Sequence, residues 1–119
     1  MNFEVTTLGL GYIGLPTSAL IASHDVPVHG VDLSQHVVDT INAGDIHIVE
    51  PDLDTAVASA VSNGFLKAST KPVEADVYLI VVPTPFKGGN HEPDTSYIQA
   101  ATETLLPLLK EDDLYIIES

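Results

Sequence analysis

Three glycines within six residues constrain this chain more than any other feature. Gly9-Leu10-Gly11-Tyr12-Ile13-Gly14 lies between two apolar runs, Phe3 to Leu8 and Leu15 to Ser23. Glycine loses the most backbone entropy on folding, so a cluster marks a sharp turn or a close approach to the backbone. A G-x-G-x-x-G turn from strand to helix supplies both. Gly9 permits the tight turn, Gly11 lets a pyrophosphate reach the backbone, and Gly14 lets the helix pack closely on the sheet. The helix start then offers free N–H groups and a positive dipole end to the phosphates. The competing reading is a structural glycine turn with no ligand.

The flanking sequence favours the ligand. Val26 to Val31 reads as a second strand ending at Asp32, 18 residues after Gly14 (32 − 14). A carboxylate there binds a ribose 2′-hydroxyl and repels a 2′-phosphate. The chain has no arginine to accept that phosphate. The expected cofactor is therefore NAD and not NADP. Taken alone, Asp32 also reads as a helix cap or turn residue.

The rest of the chain alternates in the same way. Ser34 caps a helix running to Ala43, with Val37, Val38 and Ile41 on one face and Gly44 as its stop. Pro51 opens a helix with Leu53, Val57, Ala60 and Val61 at helical spacing, and Gly64 ends it. Phe65 to Ser69 is a short strand, with a possible extra turn over Pro72 to Ala75. Val77 to Val82 is a continuous apolar strand of the buried parallel kind. A polar loop, Pro83 to Asp94, leads to a helix over Ser96 to Leu109 and a strand over Leu114 to Ile117. The order β-α-β-α-α-β-β-α-β predicts an α/β fold, a Rossmann-type doubly wound parallel sheet. A six-stranded dinucleotide fold has one more helix and strand than this. The chain therefore reads as one domain, residues 1–119, of a truncated fragment.

Charge and composition exclude several functions. Seventeen acids face four lysines, for a formal net charge of −13. The basic footprint of a nucleic-acid binder is missing, and an anionic membrane surface repels such a chain. In about 1 M salt the Debye length is only ~3 Å, so an acidic surface suits a high-salt cytoplasm. No basic n-region opens the chain and no apolar run is long enough to span a bilayer, so a cytoplasmic location is expected. With no cysteine there is no disulfide and no thiolate nucleophile. The five histidines lack familiar metal-ligand spacings, and no metal is expected. Glu50, Asp52 and Asp54 read as acids favouring a helix N-terminus. Thr84, in Val82-Pro83-Thr84-Pro85, and Glu118 both follow strands at the sheet's carboxyl edge, where open parallel sheets bind ligands. From position alone, Thr84 is as readily a plain loop hydroxyl, and Glu118 more readily solvates a strand end.

Several blocks in order carry a family resemblance: GLGYIGLPT, GVD followed by VVDTINAGDIHIVEPDL, GFLKAST, ADVYLIVVPTPFKGGNHEPD and LYIIES. Together they resemble the N-terminal part of the nucleotide-sugar 6-dehydrogenases, the UDP-glucose/GDP-mannose dehydrogenase family. IHIVEPDL and VPTPFKGGNHEPD are nearer to the members acting on UDP-N-acetyl-D-mannosamine than to those acting on UDP-glucose. The family oxidises a sugar 6-hydroxymethyl group to a carboxylate with two NAD+. The resemblance implies that Tyr12 and Ile13 contact the cofactor, that Asp32 holds the adenosine ribose, that Thr84 lies near the NAD, and that Glu118 stands beside substrate and nicotinamide. It also implies a UDP-sugar substrate and a homodimeric parent. The family's catalytic cysteine, dimerising helix and UDP-binding C-terminal domain have no counterpart here, so the 119 residues alone are expected to bind NAD and catalyse nothing. A β-hydroxyacid dehydrogenase domain, a non-catalytic NAD-sensing module and a doubly wound domain without ligand remain as alternatives.

Overall fold

A computed structural model describes residues 3–82, 86–87, 92–93 and 96–118. Four-residue parallel strands form its sheet: β1 (Val5–Leu8), β2 (Val28–Val31), β3 (Leu66–Ser69), β4 (Val77–Ile80) and, numbered by its place in the chain, β7 (Leu114–Ile117). The short β5 (Phe86–Lys87) and β6 (Glu92–Pro93) pair antiparallel inside the stretch expected to be a plain loop. The helices are α1 (Gly14–Ala22), α2 (Gln35–Asn42), α3 (Leu53–Ser62) and α4 (Ser96–Leu105). The sheet order is β3-β2-β1-β4-β7. The order reverses beside β1, the arrangement of a dinucleotide-binding sheet at its switch point.

Alternation along the strands sends two cores to opposite faces. Val5 and Val28 join Leu15 and Ala19 of α1, Val38 and Ile41 of α2, and Leu53 and Val57 of α3. Leu8, Val31, Tyr78 and Ile80 point the other way and pack with Ala101 and Leu105 of α4. Tyr78 is fully buried, and its hydroxyl accepts from the Ala75 N–H and donates to the Leu108 carbonyl. A buried phenol needs such partners.

Element boundaries moved for local reasons. β1 begins at Val5 and not Phe3, and β2 at Val28 and not Val26. Pro27 lacks an N–H and serves only as acceptor, for Val5 N at 3.0 Å. Asp52 sits at φ +63°, so the chain is still turning there and α3 starts at Leu53, not Pro51. α4 stops at Leu105 and tightens into a 3₁₀ turn over Leu106–Leu108, because Pro107 cannot continue the i to i−4 bonding. Pro72 to Ala75 is irregular, with no extra turn. The Ser34 cap is as expected, its hydroxyl accepting from Val37 N at 3.3 Å. So are the stops at Gly44 and Gly64, both at positive φ. No helix among the described residues is long and apolar enough to cross a membrane.

Candidate functional site

All strand pairs share one register, so the strands end level: Leu8 lies beside Val31 and Ile80, and Ile80 beside Ile117. One further backbone bond continues each rung. Gly9 N donates to Val31 O at 2.8 Å, Val81 N to Leu8 O at 2.8 Å, and Glu118 N to Ile80 O at 2.9 Å. Gly9, Asp32, Val81 and Glu118 therefore stand in one row along the carboxyl edge of the sheet.

The glycine turn rises from this row, and its three glycines differ in kind. A Cβ on Gly9 would lie 2.3 Å from the Val81 carbonyl oxygen, and its φ is +101°. A Cβ on Gly14 would lie 1.8 Å from the Gly9 carbonyl oxygen. Both positions are fixed by packing within the protein. Gly11 is exposed, its φ is not positive, and a Cβ there would meet nothing within 4 Å. Nothing in the fold explains why it is glycine; a group arriving from outside would.

The start of α1 is prepared for such a group. The N–H groups of Gly11, Tyr12 and Ile13 have no partner among the described residues. No side chain caps the helix and no acid lies in its first turn. Unpaired N–H groups at a dipole's positive end attract an anion. Tyr12 and Ile13 are 66% and 42% exposed and flank this opening.

Asp32 is partly buried and borders the turn. One carboxylate oxygen, Oδ2, accepts from Leu10 N at 3.1 Å; the other, Oδ1, accepts from Ser34 N at 3.0 Å. Each keeps a further lone pair for a sugar hydroxyl. Donor set, open space and carboxylate together fit a dinucleotide's pyrophosphate and ribose.

Glu118 is partly buried and lies two strands from Gly9, roughly 10 Å away at ordinary strand spacing. Gly9, Gly11, Tyr12, Ile13, Gly14 and Asp32 are thus gathered at the ends of β1 and β2, with Glu118 apart at the sheet's edge. Thr84 lies outside the described residues. No group of histidines and acids among the described residues is placed to hold a metal ion.

Two pairs of residues at the site escaped sequence reasoning. Leu10, between the glycines, is fully buried, and Gly30 of β2 makes room for it: a Cβ on Gly30 would lie 2.8 Å from Leu10 Cδ2. The available signal was a glycine inside a strand, which marks a close approach. Ser18 of α1 donates to the Thr7 hydroxyl of β1 at 3.0 Å, both fully buried, and ties the helix to the strand. Nothing in the sequence announces that pair.

A cleft of about 370 Å³ lies at the other end of the sheet, lined by Glu4, Thr6, His29, Lys67 and Glu74 among others. Burial, and secondarily the charge of Lys67, pushes the His29 pKa down there. His29 Nε2 is 2.7 Å from Ser69 Oγ, whose proton goes to the Lys71 carbonyl. The imidazole is therefore the donor, with its proton on Nε2.

Residues 3–119 match the family described as "UDP-glucose/GDP-mannose dehydrogenase family, NAD binding domain". The UDP-N-acetyl-D-mannosamine dehydrogenase of Escherichia coli (strain K12) is 59% identical over 120 residues, covering 100% of this chain and 28% of the relative. An NDP-N-acetyl-D-galactosaminuronic acid dehydrogenase of Ralstonia nicotianae is 56% identical, covering 97% of this chain and 27% of the relative. The solved structure of a UDP-N-acetyl-mannosamine dehydrogenase from Staphylococcus aureus superposes with a TM-score of 0.95 at 43% identity, over 98% of this chain and 28% of that one. The chain thus spans little more than a quarter of the length of the relatives it matches.

Proposed function

The chain belongs to the UDP-glucose/GDP-mannose dehydrogenase family as its NAD binding domain, and we propose that it serves an enzyme oxidising UDP-N-acetyl-D-mannosamine to the corresponding uronate. The reaction turns a 6-hydroxymethyl group into a carboxylate and uses two NAD+. NAD+ supplies the hydride acceptor; the domain's own residues bind and orient it. The N–H groups of Gly11, Tyr12 and Ile13 would hold the pyrophosphate, and Asp32 the adenosine ribose. Glu118, level with the turn on the carboxyl edge, would face the nicotinamide and the sugar, with Thr84 also near the cofactor. The carrying observation is Gly11, a glycine that no neighbour in the protein requires.

The choice of sugar rests on the 59% identity to the E. coli enzyme. The reading includes a homodimeric parent acting on a UDP-sugar in the cytoplasm, and a 119-residue chain that is inactive alone. It includes adaptation to salt, supported by the charge of −13; a melting temperature that fails to rise from low to molar KCl would remove that part.

Calorimetric titration in molar KCl tests the cofactor site. NAD+ should bind, and NADP+ at least about tenfold more weakly, since Asp32 repels the 2′-phosphate. Equal binding of the two, or no binding by a sample that melts cooperatively, would overturn the assignment. Turnover of UDP-N-acetyl-D-mannosamine against UDP-N-acetyl-D-galactosamine and UDP-glucose by the full-length protein settles the sugar.

A further inference from the structure

Leu10 is gripped from two sides by β2. Its side chain is fully buried against Gly30, and its N–H is held by Asp32 Oδ2 at 3.1 Å. That N–H and the Gly9 carbonyl belong to one planar peptide and point in opposite directions. The Gly9 carbonyl oxygen lies against Gly14, only 1.8 Å from where a Cβ on that residue would sit. One peptide plane therefore spans the turn, its N–H on the carboxylate of β2 and its oxygen on the first residue of α1. Flipping it would push a carbonyl oxygen at a carboxylate and free the wall of the turn.

We propose that Asp32 is a positioning residue for the pyrophosphate turn as well as the reader of the ribose. The inference rests on the reading above that this turn takes a pyrophosphate. Both carboxylate oxygens accept from backbone donors of the protein itself, Leu10 N and Ser34 N. These two bonds fix the side chain's orientation from within the protein, and a group held in this way loses less freedom on binding. Recognition of the ribose and of the pyrophosphate is coupled through one side chain. Exchanging Asp32 for a residue that tolerates a 2′-phosphate would loosen the turn, so NADP preference cannot be installed at this position alone.

The test separates the two roles with ADP and 2′,3′-dideoxy-ADP, which lacks the hydroxyls that Asp32 would read. Asp32→Ala should weaken dideoxy-ADP binding at least tenfold, as expected for losing a hydrogen bond to a charged group. It should do so although removing a negative charge by itself favours a polyanion. Asp32→Asn keeps one of the two acceptors and sets an NH2 group against the other backbone N–H, so it should restore part of the dideoxy-ADP binding. Amide exchange at Leu10 in the unliganded protein should quicken in Asp32→Ala and quicken less in Asp32→Asn. Gly30→Ala touches no ligand and leaves the charge intact; it should weaken ADP and dideoxy-ADP by the same factor. An Asp32→Ala protein that binds dideoxy-ADP as tightly as the parent, with unchanged Leu10 exchange, would overturn the proposal. If neither nucleotide binds the parent protein, the cofactor reading fails, and Leu10 exchange still decides whether Asp32 holds the turn. If Asp32→Ala does not fold, Gly30→Ala and Asp32→Asn carry the decision.

Discussion

The two halves of the sheet differ in how deeply the described residues bury their side chains. Around β1, β2 and β3, three helices cover one face, and Leu10, Leu15, Ile41, Val57 and Leu66 are buried almost completely. Beyond β1, the outer strand β7 leaves Leu114, Ile116 and Ile117 between 40% and 53% exposed. The difference divides the site. On the side proposed for the adenosine, Gly9, Leu10, Gly14 and Asp32 are held by hydrogen bonds or close packing. On the other side, Glu118 follows a strand that pairs, among the described residues, with β4.

Substitutions should therefore sort by half. The strongest break is Gly14→Ala: its Cβ would overlap the Gly9 carbonyl, and neither backbone can give way. A loss of about 3 kcal/mol or more in denaturant unfolding is expected. A stable variant would mean that the turn is looser than its packing implies. Next, Ile41→Ala should cost about 3 kcal/mol as a core truncation, whereas Ile116→Ala should cost under about 1 kcal/mol. Equal losses would erase the contrast between the halves. Gly11→Ala sharpens it within the turn itself. Stability should stay within about 0.5 kcal/mol of the parent, while NAD+ affinity falls at least about tenfold in calorimetry.

The smallest effect belongs to His29. Its pKa is lowered by burial first and Lys67 second, so the unfolded chain takes up the proton at higher pH than the folded one. The contribution of neutral His29 is then complete above the ordinary value of about 6.5 and is lost as pH falls below it. Unfolding midpoints measured just above and just below that value should show a shallow decline that His29→Gln lacks.

The sequence made the framework legible wherever one local rule acted alone. Apolar β-branched runs marked β2 and β4, Ser34 marked the start of α2, and Gly44 and Gly64 marked helix ends. Boundaries slipped where two rules competed, as at Leu105, where apolar spacing continued but Pro107 broke the bonding. In the site, the glycines and Asp32 were legible because motif and spacing carried them. The bond from Leu10 N to Asp32 was not, because it joins positions 22 apart and exists only once the strands are side by side. Gly30 could have been singled out as a costly glycine in a strand, but its reason, the Leu10 side chain above it, belongs to the packing.

The central place of β1 has a consequence in time. β1 is synthesised before both of its partners, Val28–Val31 on one side and Val77–Ile80 on the other. Its second partner begins 72 residues later (77 − 5). At about 5–20 residues per second of synthesis, Val5–Leu8 waits roughly 4–14 s with one edge unsatisfied, an interval in which a nascent chain depends on solvent or a chaperone to keep that edge from pairing elsewhere.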